Sequence, residues 1–263
     1  MVEQAHAFDD AEAYERFMGR WSRATGAIFL DWLAPPPGAR WLDVGCGTGV
    51  FTELILDTCS PSAVTAIDPS HAQIEHARGL AVGQRADFHV AGAQSLAFAD
   101  HAFDVVASAL VINFIPDKPA ALREMRRVTR PDGIVAGYIW DFAGERATSA
   151  PLRLAMRQIG LEPPPTAGTE NSSLVNLRTL FERAGLEAIS TRTIDVSMSF
   201  SGFDEYWQSQ TPSFVPITKT IRELPDPERA RLRDALRKQL PAGADGRITC
   251  SACANAIKAR VPA

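Results

Sequence analysis

Three glycines at every second position, Gly45, Gly47 and Gly49, follow Asp43 and precede a second acid, Asp68. Glycine has no Cβ, so a backbone with this spacing can turn sharply and come close to a ligand. The apolar residues before the turn (Trp41, Leu42, Val44) have strand character, and Phe51, Leu54 and Ile55 after it recur at helical spacing. A helix starting at such a turn points unpaired N–H groups at whatever sits there. The chemistry on offer is ligand binding at a strand–turn–helix junction. Asp141 and Asn113 are candidates for proton transfer or for orienting a substrate, while His71 and His76 read as surface residues. Cys250-Ser-Ala-Cys253 has metal or redox spacing, but no second pair accompanies it. Two small side chains on a terminal strand is the preferred reading, with no metal.

Two kinds of cofactor compete for the glycine turn. A nicotinamide dinucleotide usually wants G-x-G-x-x-G. Here the third glycine of that pattern would fall at Val50. Asp43, just before the turn, is awkward beside a pyrophosphate. It is natural beside a ligand that carries an ammonium and a sulfonium.

The elements that must hold this turn alternate. Residues 9–33 repeat apolar side chains every three or four positions, which predicts one helix or two, broken near Gly19 or Gly26. Strands are expected at residues 63–67, 87–90, 103–109 and 134–140. Ser70 caps one intervening helix, and Asp117 with Pro119 opens another. That second helix buries Leu122, Met125 and Val128 and turns Arg123, Arg126, Arg127 and Arg130 to solvent; Pro131-Asp132-Gly133 stops it. The first 142 residues therefore predict a doubly wound parallel sheet with right-handed crossovers. Ligands in such sheets bind outside the carboxyl ends of the strands. Later residues predict helices near 148–159, 177–184 and 226–240, capped in the last case by Asp226, and strands near 186–196 and 246–261.

The bulk composition suits a soluble globular protein. A net charge of −4 offers no general attraction to nucleic acid or anionic membranes. No apolar run is long enough to span a bilayer, and the acidic N-terminus lacks the apolar core of a signal peptide. A cytoplasmic protein with reduced thiols is expected.

The sequence resembles the class I S-adenosylmethionine-dependent methyltransferases, and is most similar to the small-molecule group that includes the ubiquinone/menaquinone C-methyltransferases. The resemblance covers about residues 12–142. It rests, in order, on LDVGCGTG, AIDPS, AGAQSLAFADHAFDVV and LREMRRVTRPDGIVAG. It implies an α/β, Rossmann-like, mostly parallel seven-stranded sheet. An N-terminal helical cover (1–36), a cofactor-binding core (37–142) and a C-terminal half (143–263) with a helical insertion at about 201–245 would make one domain. The implied cofactor is S-adenosylmethionine. Gly45 and Gly47 would approach its methionine part, and Asp68, followed by Pro69, would accept its ribose hydroxyls.

Many relatives place an acid after the third strand, where this chain has Gly92. The backbone of Ala93 and the amide of Gln94 would meet the adenine instead. Ala109 takes the place of a small residue beside the cofactor, and Tyr14 and Arg20 could reach its carboxylate. A pocket for a small-molecule acceptor would draw on Trp140, Phe142, Tyr206, Trp207 and Phe214, which could equally form the core of the insertion. No N/D-P-P-Y/F/W segment follows the fourth strand, which argues against a nucleic-acid substrate.

Overall fold

The computed structural model describes residues 18–210 and 216–263. Seven strands form one sheet: β1 (Arg40–Val44), β2 (Ala63–Asp68), β3 (Asp87–Val90), β4 (Phe103–Ala109), β5 (Thr129–Trp140), β6 (Glu187–Phe200) and β7 (Ile248–Arg260). Their spatial order is β3-β2-β1-β4-β5-β7-β6. The first five run parallel, and β7 lies antiparallel between β5 and β6. The chain moves outward from β1 to β3, then returns to the other side of β1 for β4. That reversal puts a switch point between β1 and β4, beside the glycine turn.

Alternation along the strands builds two cores, as a sheet covered on both faces requires. Trp41, Val105, Ala107, Ala136, Tyr138 and Trp140 belong to one. Leu42, Val44, Val106, Val135 and Ile139 belong to the other. Helices α1 (Arg20–Leu33) and α2 (Val50–Thr58) cover the first face, where Phe29 packs 4.8 Å from Tyr138 and Trp21 meets Trp140 edge-on at 6.2 Å. Helix α3 (His71–Gly79) follows β2, with Ser70 accepting from the Gln73 N–H as its cap. Helices α4 (Lys118–Val128) and α6 (Leu174–Arg183) bury Leu122, Met125, Leu177 and Phe181 on the second face. Helix α5 (Ala150–Gln158) precedes α6. The insertion before β7 consists of α7 (Phe203–Gln210), α8 (Pro216–Glu223) and α9 (Asp226–Gln239).

Three local expectations need correction. Strand β5 begins at Thr129 rather than Ile134, because Thr129 already pairs with Phe103; the Pro131-Asp132-Gly133 segment is taken up as a register shift, with Asp132 at φ 59°. Pro225 occupies the N-cap position of α9, so Asp226 lies in its first turn and pairs with Arg229. The basic face of α4 is not simply solvated. The Arg127 guanidinium holds the β3–β4 connection through the Leu96 and Phe98 carbonyls and Asp100, and also pairs with Glu124. Arg130 pairs with Asp104 at 2.6 Å. These anchors are tertiary, and helical periodicity carries no sign of them.

Candidate functional site

The turn after β1 is fixed to β2: the N–H groups of Gly45 and Cys46 both donate to the Ile67 carbonyl, at 2.7 and 2.9 Å. Gly45, Gly47 and Gly49 adopt φ of 80°, 54° and 87°, a region that favours glycine. A Cβ on Gly45 would stand 2.5 Å from a methyl of Val111, so the turn nests against the segment that leaves β4. Among the described residues, a Cβ on Gly47 would meet nothing within 4 Å, so none of them covers the backbone there. Gly49 is the N-cap of α2.

Two carboxylates flank the turn. Asp68, at the end of β2, accepts the Gly47 N–H at 3.0 Å on one oxygen and the Ser70 N–H at 2.9 Å on the other. Burial raises its pKa, and these two donors oppose the rise. Each oxygen keeps acceptor capacity for a ligand. Asp43 is fully buried. Its Oδ2 accepts the Thr52 hydroxyl at 2.7 Å, and its Oδ1 has no partner among the described residues. Burial pushes its pKa up to about 7; the Thr52 hydroxyl lowers it, and the neighbouring charge of Asp68 raises it further. Burial and the same two acids hold the Cys46 thiol well above its usual range. The turn thus presents an acidic lining with one orphaned oxygen. That lining suits a cation and repels a pyrophosphate.

The other expected site residues divide. Pro69 is exposed beside Asp68, and Ala93 is buried beyond β3. The side chain of Gln94 folds back so that its Oε1 lies 3.6 Å from where a Cβ on Gly92 would stand. Ala109 ends β4, and the next residue, Leu110, sits at φ 63°, a strained conformation for a residue with a side chain. Asn113 follows on a short 3₁₀ turn, its Nδ2 donating to the Ala167 carbonyl at 3.3 Å. These groups gather along one edge of the sheet with the glycine turn.

Asp141 does not present a free base. One of its oxygens accepts the Gly144 N–H at 2.9 Å and the other pairs with Arg146 at 3.0 Å, closing a tight turn after β5. Arg20 is directed to the far edge of the sheet, where it donates to the Ser199 carbonyl at 2.9 Å and pairs with Glu205. Tyr14 and Phe214 lie outside the described residues. Trp140 and Tyr206 are buried in the first core, and Trp207 stacks on Phe203 within the insertion, under Arg233. Core packing is therefore the observed fate of most of that aromatic set. Cys250 and Cys253 are both buried on β7, three positions apart and so on opposite faces, which separates them as a pair.

Reading the sequence missed Thr52, the conformation of Leu110 and the contact of Val111 with the glycine turn. Thr52 stands nine residues beyond Asp43, and their contact exists only once α2 folds back over β1. Val111 and Leu110 look like more of an apolar strand, and the positive φ at Leu110 leaves no mark in residue type.

The strand order and the glycine turn define a class: a Rossmann-like sheet with a glycine turn after β1. Comparison with known proteins narrows it. A family profile described as a methyltransferase domain matches residues 42–137. The malonyl-[acyl-carrier protein] O-methyltransferase of Erwinia pyrifoliae is 36% identical over 143 residues, covering 54% of this chain and 51% of that protein. The ubiquinone/menaquinone biosynthesis C-methyltransferase of Paracoccus denitrificans is 37% identical over 108 residues, covering 40% of this chain and 43% of that protein. The Haemonchus contortus phosphoethanolamine N-methyltransferase 2, solved with S-adenosyl-L-methionine, superposes with a TM-score of 0.59 at 16% identity, covering 96% of this chain and 57% of that one. Residues 42–137 are thus similar to the class I S-adenosylmethionine-dependent methyltransferases. It spans about half the length of the curated relatives it matches.

Proposed function

We propose that this protein transfers a methyl group from S-adenosylmethionine to a small-molecule acceptor. The observation that carries the proposal is the turn itself: an open backbone at Gly47, Asp68 bonded across it, and the orphaned Oδ1 of Asp43 behind it. S-adenosylmethionine, when bound, supplies an electrophilic methyl carbon on a cationic sulfur. In this reading Gly45 and Gly47 admit the methionine part, and Asp43 provides the negative lining. Asp68 accepts the ribose hydroxyls, with Pro69 alongside. Ala93 and Gln94 meet the adenine, and Ala109 leaves room at the end of β4. The chain must then hold the acceptor about 3–3.5 Å from the methyl carbon and exclude water. No metal and no covalent enzyme intermediate are needed.

One domain is proposed, in the three parts set out above. No helix among the described residues is long and apolar enough to cross a membrane. A cytoplasmic location and an acceptor other than nucleic acid fit the composition. The test is a pair of measurements. S-adenosylmethionine at a hundredfold excess over its Kd should stabilise the protein by about 2.7 kcal/mol, while NAD leaves the melting temperature unchanged. Labelled cofactor should then pass its methyl group into a metabolite extract. Stabilisation by NAD instead would reverse the assignment of the turn; binding without transfer would leave a cofactor-binding protein that is not an enzyme.

Two substitutions separate the turn's fold from its ligand. Gly45→Ala meets the Val111 side chain and a positive φ together, so unfolding free energy should fall by about 2 kcal/mol or more. Gly47→Ala meets open space, so only the left-handed backbone costs, about 1–2 kcal/mol. Its main effect should be on cofactor affinity. Equal loss of stability in the two variants, with affinity intact at Gly47→Ala, would contradict the ligand seat.

A further inference from the structure

Residues 166–172 cross the end of the sheet on its second face, beside the segment that leaves β4. Three hydrogen bonds latch this strap. Asn113 donates its Nδ2 to the Ala167 carbonyl at 3.3 Å, and Asn255 donates its Nδ2 to the Ser172 carbonyl at 2.8 Å. The Ala143 N–H, just past β5, donates to the Ser172 hydroxyl at 2.8 Å. The backbone of Gly168 lies so close that a Cβ there would stand 2.8 Å from the Asn113 carbonyl carbon.

Beneath the strap the polar bonding is one-sided. Asn113 and Asn255 are 2% and 3% exposed, and each uses its amide nitrogen while its Oδ1 has no partner among the described residues. Ser108, fully buried, also has no partner for its hydroxyl among the described residues. Register puts the last two on one face. Ser108 lies opposite Gly137 and Asn255 opposite Ile139, and alternation aligns them with Val106, Val135 and Ile257 of the second core. Unpaired buried oxygens cost roughly 1–3 kcal/mol each, so the closed strap is poised rather than settled. The place also matters: Asn113 stands two residues after Val111, which touches the glycine turn.

We propose that the strap closes over the acceptor end of the crevice and that Asn113 and Asn255 read the acceptor through their amide oxygens. This rests on the methyltransferase reading above and deepens it. An amide oxygen only accepts hydrogen bonds. The acceptor is therefore a donor compound, an amine or a hydroxyl compound. A carboxylate brings only further lone pairs and is disfavoured. The strap supplies the wall on the far side, and the same two asparagines that hold it closed meet the substrate under it.

The test uses the whole chain with saturating S-adenosylhomocysteine and three probes of similar size: catechol, aniline and benzoate. Ligand-observed NMR should detect catechol or aniline and not benzoate. Asn113→Ala and Asn255→Ala should each weaken that binding about tenfold or more while S-adenosylhomocysteine still binds. If the Asn255 variant does not fold, Asn113→Ala alone decides. The proposal is overturned if benzoate binds as well as the neutral probes, if none of the three binds, or if the variants bind them like the parent. Failure of S-adenosylhomocysteine itself to bind is a different result, and removes the methyltransferase reading rather than the strap alone.

Discussion

Replacing Asp68 by alanine should weaken S-adenosylmethionine binding by about ten- to a hundredfold or more, because each hydrogen bond to a charged group contributes roughly 1.5–3 kcal/mol. The geometry sharpens this expectation. Asp68 is not a free carboxylate awaiting a ribose: its two oxygens already accept the N–H groups of Gly47 and Ser70. Those bonds aim both oxygens and hold the turn to β2, so alanine removes the proposed ligand contact and a brace together. Asparagine separates the two effects only partly. Its oxygen can accept one of these N–H groups, but its NH₂ must then face the other donor. Asp68→Asn should therefore lose nearly as much affinity as alanine, whereas Asp68→Glu, which keeps the charge but shifts it outward, should retain measurable binding. Isothermal titration of the three variants decides. Unchanged affinity in Asp68→Ala would remove Asp68 from the site.

The parts of this site that were readable in sequence are those whose physics is local. Three alternating glycines permit the positive φ that a tight turn needs, and Asp68 ends a short apolar run of strand length. The nearly unbroken apolar stretch of β4 announces burial on both faces. Tertiary roles were not readable. Arg127 looks like any solvated arginine on a helix, yet three of its bonds cross to residues 96–100 and two more hold Glu124. Asp141 sits where a base could work, but Gly144 and Arg146 claim both of its oxygens. Asn255 is a single polar residue in a terminal strand, and its partner Ser172 lies 83 positions away. The aromatic residues of the insertion left two readings open for a different reason. Aromatic side chains fill a core and line a pocket with the same surface, and only burial tells the two apart.

Asp43 should make both stability and cofactor binding depend on pH, in opposite directions. In the unfolded chain its carboxyl titrates at about 3.9. In the folded protein, burial lifts it to about 7. Between these values the native state holds a proton that the unfolded state has lost, so stability falls as pH rises from about 4 to about 7, then levels off. A shift of about three units corresponds to roughly 4 kcal/mol. Asp43→Asn removes the titration. Whatever the amide costs in absolute terms, the variant should gain on the parent by several kcal/mol between pH 4 and pH 8 in urea unfolding of the cofactor-free protein. Parallel stability profiles would show that Asp43 is not protonated in the native state. Binding runs the other way. A cationic ligand favours the ionised carboxylate, so affinity for S-adenosylmethionine should rise about tenfold from pH 6 to pH 8, with the loss confined to the acid side of the Asp43 transition. Asp43→Asn should bind weakly and without that slope. Thr52→Val provides the second check. It removes the hydroxyl that lowers the Asp43 pKa, so the slope should persist and move to higher pH. A slope that stays in place in Thr52→Val would assign the proton to another group.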